Sequence, residues 1–225
     1  MLCAYCGPVF LLVFVGGFWF VAGLVPPPSA SDSAQQIAHF YTANAAQLRA
    51  GMLLALIATP LLVPFIVLLT TQLRRSDPRL APLAYVQLVC GAILVVEVLI
   101  FAVLVGTAAF RPERLPDVTQ ALNDIAFTFL LWAFTAPSLE YLAIGLAVLL
   151  DRSDEPLFPR WVGYFDLALA VVFAAGGPTL FVKRGAFGWD GALAFWAVFV
   201  GFSLWVVVTF RTMVRASARS TIAPP

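Results

Sequence analysis

Glu97 and Glu140 each stand inside an apolar stretch long enough to be a membrane-crossing helix, and Asp166 enters a third. A carboxylate at the centre of a membrane helix costs roughly 2.5–3.5 kcal/mol on insertion scales, so such groups face a bundle interior, a partner or a water-filled path. Carboxyls held there have three uses. They relay protons, they bind a cation or amine, or one donates a hydrogen bond that glues two helices, worth about 0.6–2 kcal/mol. The hydroxyls of Thr135, Ser138 and Tyr141 flank Glu140. The candidates for binding or relay are therefore Glu140, Glu97, Asp166, Tyr141, Ser138 and Thr135.

The neighbours at helical spacing separate the two glutamates. Around Glu140 stand Ala133, Ala136, Pro137, Ala143 and Ala147, small enough to let another backbone come close. Around Glu97 stand Cys90, Ile93, Ile100, Phe101 and Leu104, which are bulkier and apolar. On this ground Glu140 is the better site candidate, with Glu97 as its expected partner.

Other chemistries find little support. His39 is the single histidine and lies outside the apolar stretches, which excludes a bis-histidine haem within the membrane and argues against a histidine-rich metal centre. Cys3 and Cys6 form a C-x-x-C, but a structural zinc site needs two more ligands and a thioredoxin motif belongs in a βαβ unit. Cys90 reads as core. No P-loop, G-x-S-x-G or dinucleotide fingerprint occurs. No cofactor and no metal are expected.

The elements that must position these groups are membrane spans. The chain of 225 residues is 62% hydrophobic and 11% charged, with a mean hydropathy of +0.95. A soluble domain carries about 25% charged residues. The expected class is an all-α polytopic membrane helix bundle, one membrane domain over 1–225 with no soluble domain. The net charge of +1 and the absence of a basic tract leave no role for nucleic acid. About 20 apolar residues cross a bilayer. Six such stretches are expected, at about 8–25, 50–72, 82–109, 122–150, 161–182 and 191–214. The first lacks Lys or Arg at its start and is long for a signal peptide.

With six spans, one side carries Arg74, Arg75, Arg79, Arg152, Arg160, Arg211, Arg215 and Arg219. The other carries Arg49, Arg111, Arg114, Lys183 and Arg184, completing the 13 basic residues. The excess marks the first side, with both termini, as cytoplasmic. By the helical rise, Glu97 then lies ~22 Å and Glu140 ~15 Å from the inner ends of their spans, with Asp166 lower at ~8 Å. The three form a descending line.

Between the first two spans, Ser31 or Ser33 can cap a helix over about 34–48, with Ile37, Phe40, Tyr41, Ala45 and Leu48 near one face. This is either an interfacial helix on the outer surface or an early start of the second span. Pro60, Pro64 and Pro137 are expected to bend spans two and four, and Gly176-Gly177-Pro178 to break span five. Trp189 is expected at the membrane interface.

The last third carries Pro159-Arg160-Trp161-Val162-Gly163-Tyr164-Phe165, then Lys183, Gly185, Phe187, Trp189 and Gly191 in a K-x-G-x-F-x-W-x-G pattern. This resembles a group of uncharacterised bacterial, actinobacterial-type multi-span membrane proteins. The resemblance implies a bacterial inner-membrane setting and carries over no catalytic residue.

Three functions fit the residues. One is binding or transport of a small apolar or weakly cationic molecule, or a proton, through the intramembrane acids. The acids, the kinking prolines and the aromatic content, 20 Phe and 6 Trp, argue for it. Another is a non-catalytic subunit or scaffold, associated with partner membrane subunits or with copies of itself. The third is an acid/base enzyme on a lipid-like substrate; no motif demands it. The bilayer is the one partner common to all three.

Overall fold

The computed structural model describes residues 2–222, with side chains to 217. Arg219 lies outside the described side chains. Among the described residues there is no strand, and six helical stretches are long and apolar enough to cross a membrane: Leu2–Val21, Ala45–Ser76, Pro78–Phe110, Pro116–Leu150, Arg160–Leu180 and Ala192–Ser217. The protein is an all-α polytopic membrane helix bundle. Its lipid-facing surface is apolar, as at Leu12, Phe20, Ile57 and Val171.

Few spans are one plain α-helix. The first is α1 (Leu2–Val15) followed by a widened π turn, Gly16–Val21. It begins six residues earlier than expected, because the preceding residues are apolar and Pro8 is accommodated inside the helix. After it comes α2 (Ala34–Ala43). Ser33 closes a capping box there: its hydroxyl accepts from Gln36 N, and the Gln36 side chain accepts from Ser33 N at 2.8 Å. This helix ends at Asn44 rather than near Leu48. The Asn44 amide turns back to the Phe40 carbonyl at 2.8 Å, and the second span starts at once.

That span is α3 (Ala45–Ala58), a tight 3₁₀ turn at Thr59–Leu61, and α4 (Leu62–Ser76). The turn falls at Pro60, whose missing N–H cannot continue the ladder. The third span is the unbroken α5 (Ala81–Phe110). The fourth is α6 (Pro116–Trp132) and α7 (Thr135–Leu150), interrupted at Ala133–Phe134 just before Pro137. Pro116 in the first turn and Asp117 beside it suit a helix start, so this span begins six residues before the expected position. The fifth is α8 (Arg160–Phe173) with a 3₁₀ end, Ala174–Leu180, at the expected Gly-Gly-Pro. The sixth opens on a π turn, Ala192–Ala197, and continues as α9 (Val198–Ile222).

Helix α5 is the central post, touching α3, α4, α6 and α7. Helices α7 and α8 pack closely, and α1 meets both α4 and α9. The two faces of the bundle are tied differently. On the face holding both termini, called here the terminal face, Ser76 hydrogen-bonds Asp151, and Leu157 N donates to Ser76 Oγ at 3.2 Å. Asp77 accepts from Arg79 Nη2 at 2.8 Å and Nε at 3.0 Å, and from Arg152 N at 3.4 Å. The Arg79 hydrogen bond holds the Asp77 carboxyl down at about 2, against an ordinary 3.8.

On the opposite face, Trp189 is buried rather than interfacial. Its indole packs on Phe127 with ring centroids 5.4 Å apart and donates to the Pro28 carbonyl at 2.7 Å. The indole thereby joins loops that the sequence separates widely. Helix α2 turns Ile37 and Tyr41 into the bundle, and the Tyr41 hydroxyl donates to Asn123 Oδ1 at 3.1 Å. Burial keeps that hydroxyl above the usual phenol range, so it remains a donor.

Candidate functional site

Glu140 is fully buried where α7 crosses α5. Close approach is possible because α5 presents Gly91: a Cβ there would lie 2.8 Å from Glu140 Oε1. One turn along α5, Gln87 Nε2 donates to the same oxygen at 3.1 Å. The other end of that amide is held from α4. The Thr70 hydroxyl lies 2.7 Å from Gln87 Oε1 and 2.9 Å from the Ile66 carbonyl and shares its one proton between them. The hydrogen-bond partner of Glu140 is thus Gln87 and not Glu97, because Glu97 stands six residues, ~9 Å, beyond Gly91 along α5 towards the opposite face. Glu140 Oε2 has no partner.

Asp166 does not sit well below Glu140. On α7 and α8, Gly145 and Gly163 meet level with each other, since a Cβ on either would fall 2.9–3.1 Å from the other's carbonyl. From that contact Glu140 lies five residues and Asp166 three residues towards the opposite face. The rise per residue leaves the two carboxyls ~3 Å apart in depth. They are close enough to interact electrostatically. The Trp205 indole of α9 approaches Asp166, yet Trp205 Nε1 and Asp166 Oδ1 close no standard hydrogen bond. Tyr141 is buried against Phe173 and Trp205, with centroids at 4.8 and 5.5 Å, and its hydroxyl is unpartnered. Ser138 Oγ is buried and unpartnered as well. Thr135 is exposed and takes no part. The expected descending line is therefore a level pair, Glu140 and Asp166, with Glu97 set apart beyond it.

Glu97 is 2% exposed, and its Oε1 has no hydrogen-bond partner. It lines a cavity of ≈ 110 Å³ whose other walls are apolar. Seven phenylalanines contribute: Phe14 and Phe18 from the first span, Phe134, Phe173, and Phe195, Phe199 and Phe202 from the last. Four of the contributing spans leave the α-helix at this level. Phe18 belongs to the first π turn, Phe134 to the gap between α6 and α7, Gly176 to the 3₁₀ end of span five, and Phe195 to the second π turn. The rings are ordered against one another: Phe14 on Phe18 at 5.5 Å and Phe195 on Phe199 at 5.8 Å are both stacked within 10° of parallel.

An engineered apolar cavity of about 150 Å³ takes a benzene ring, so this one takes a small group of a few heavy atoms. Aromatic faces attract a cation, by about 2 kcal/mol or more when water is excluded. A carboxyl among such rings adds a single charged anchor. Cys3 and Cys6 are unpaired, and among the described residues no cluster of His, Cys, Asp and Glu could hold a metal ion. Residue spacing overlooked Gln87, Gly91, Thr70 and the phenylalanine lining. An amide in the apolar third span was the available signal for Gln87. The lining comes from five spans and leaves no local pattern.

No protein-family model matches the chain, no curated protein matches it, and no solved structure matches it.

Proposed function

We propose that this membrane protein binds a small lipophilic cation, such as a methylated ammonium group, in the cavity beside Glu97, and that the bound state is a step in moving it across the membrane. The observation that carries the reading is the cavity itself: one unpartnered carboxyl in a wall of seven phenylalanines, where span four is broken and spans one, five and six leave the α-helix at their ends. A span broken beside the binding site is an arrangement many transporters use. π turns concentrate at functional sites. The eight-to-five distribution of basic residues supports cytoplasmic termini, and the C-terminal resemblance supports a bacterial inner membrane.

The test is binding of tetramethylammonium to the purified full-length protein by calorimetry, against an uncharged tert-butyl alcohol of similar size. Charge-assisted contacts are worth about 1.5–3 kcal/mol. Glu97→Gln should therefore weaken cation binding about 10- to 150-fold and leave the alcohol unaffected. Equal affinity for both probes, or no binding of either, would overturn the reading.

A further inference from the structure

Resting on that reading, we infer that Glu140 and Asp166 form a second site, for a proton, which exchanges with the cation held at Glu97. The pair is not merely two acids in one region. Trp205 Nε1 and the Tyr141 hydroxyl, each from a side chain no more than 1% exposed, lie beside it without partners. Glu140 Oε2 and Asp166 Oδ1 are unpartnered too. Gly91 and the Gln87–Thr70 chain hold one carboxyl in place, so the pair's geometry is built from three helices, α4, α5 and α7, and completed by α8. Two carboxylates brought together away from water repel, and one proton shared between them removes the repulsion.

The donors that compete with that proton are neutral, the Gln87 amide at Glu140 and the Trp205 indole beside Asp166. Among the described residues, Glu97 and Cys90 face the pair from α5, Tyr141 from α7, Asp166 itself from α8 and Trp205 from α9, with Thr70 of α4 acting through Gln87. Among the described residues, no lysine or arginine acts on either carboxyl. The Glu97 carboxylate stands six residues, ~9 Å, along α5 from the Gly91 contact, near enough that its negative charge restrains a second one at the pair. A cation entering the cavity neutralises Glu97 and removes that restraint. The O–H bond of the pair then breaks, its electrons stay on the carboxylate, and the proton leaves for water. Asp166 is six residues, ~9 Å, from the terminal-face end of α8, which makes it the exit side. One positive charge enters and one leaves, so the interior keeps its net charge.

The experiment is infrared difference spectroscopy on the full-length protein in lipid nanodiscs, recorded as tetramethylammonium is added. Wild type should lose intensity in the protonated-carboxyl stretching band. Glu140→Gln should bind the cation and lose less than half as much, and Asp166→Asn should behave the same way. An undiminished loss in both variants overturns the proton pair while leaving the cavity reading intact. Absence of cation binding in wild type overturns the cavity reading and the exchange with it. The proton site is then judged by the ligand-free band at neutral pH. A band smaller in Glu140→Gln than in wild type supports it, and an unchanged band rejects it.

Discussion

Gln87 donates its side-chain amide to Glu140 across the α5–α7 crossing at 3.1 Å, with Thr70 fixing the far end of the same amide. The contact joins three spans through one polar chain. Replacing Gln87 by Leu leaves Glu140 Oε1 buried and unpaired. The expected cost is about 1–3 kcal/mol, read as a lower melting temperature in detergent. A Gln87→Leu protein that melts with wild type would show that the chain contributes nothing.

Gly91 supplies the room for that bond. An alanine Cβ there would stand 2.8 Å from the Glu140 oxygen, inside van der Waals contact. Gly91→Ala should therefore destabilise the fold, and Glu140→Ala should relieve part of the damage. A double-mutant cycle should return a coupling of about 0.5–3 kcal/mol. Simple additivity would mean that the two residues do not press on each other.

Phe199 tests the aromatic half of the cation site. Leu keeps an apolar wall and removes the ring face. The loss of one desolvated cation–π contact, about 2 kcal/mol, corresponds to roughly thirtyfold weaker binding of tetramethylammonium. The uncharged alcohol should bind unchanged. A parallel loss for both probes would point to altered shape instead of lost attraction for charge.

Asp77 predicts a pH dependence on the terminal face. Its folded carboxyl sits at about 2, below the ordinary 3.8. The stabilisation is then complete above the ordinary value and is lost as pH falls through about 2. Asp77→Asn should melt below wild type by a constant margin across neutral pH, with the margin closing only in strong acid. A margin that closes near pH 6 would assign the effect to another group.

Membrane orientation is read by labelling. A cysteine replacing Ser33, at the start of α2, should react with an impermeant thiol reagent added to intact cells. One replacing Asp154, in the loop before α8, should not. The opposite pattern would reverse the bundle and with it the direction of proton exit.

Much of the fold is legible in the residues, because a 20-residue apolar run admits few structures in lipid other than a helix. Pro60 and Gly176-Gly177-Pro178 announce two of the breaks by removing donors or side chains. The π turn at Gly16–Val21 is marked only by its Gly16-Gly17 pair, and the one at Ala192–Ala197 carries no such signal, since Phe, Trp and Ala fit an α-helix equally well. Hydropathy also marked Glu97 and Glu140 as residues that must be turned away from lipid, and both are buried. It could not pair them correctly. The partner of Glu140 depends on the rotation of α7 against α5, which Gly91 sets. The depth of Asp166 depends on the Gly145–Gly163 contact and not on distance from a span end.

The two π turns also each take up one residue without rotating the helix on either side. Each holds one residue more than an α-helical turn would, because its hydrogen bonds span five residues instead of four. Removing a single residue from Gly16–Val21 would let the helix run on as plain α with its flanks near their present phase, while the side chains within the turn would be redistributed around it. Phe18 and Phe195, whose centroids lie 6.5 Å apart across the bundle, would lose their facing alignment. Span length in a membrane tolerates an error of one residue through a small tilt. In these two segments the extra residue is a local feature, so its deletion should cost the Phe18–Phe195 facing and not the register of the spans.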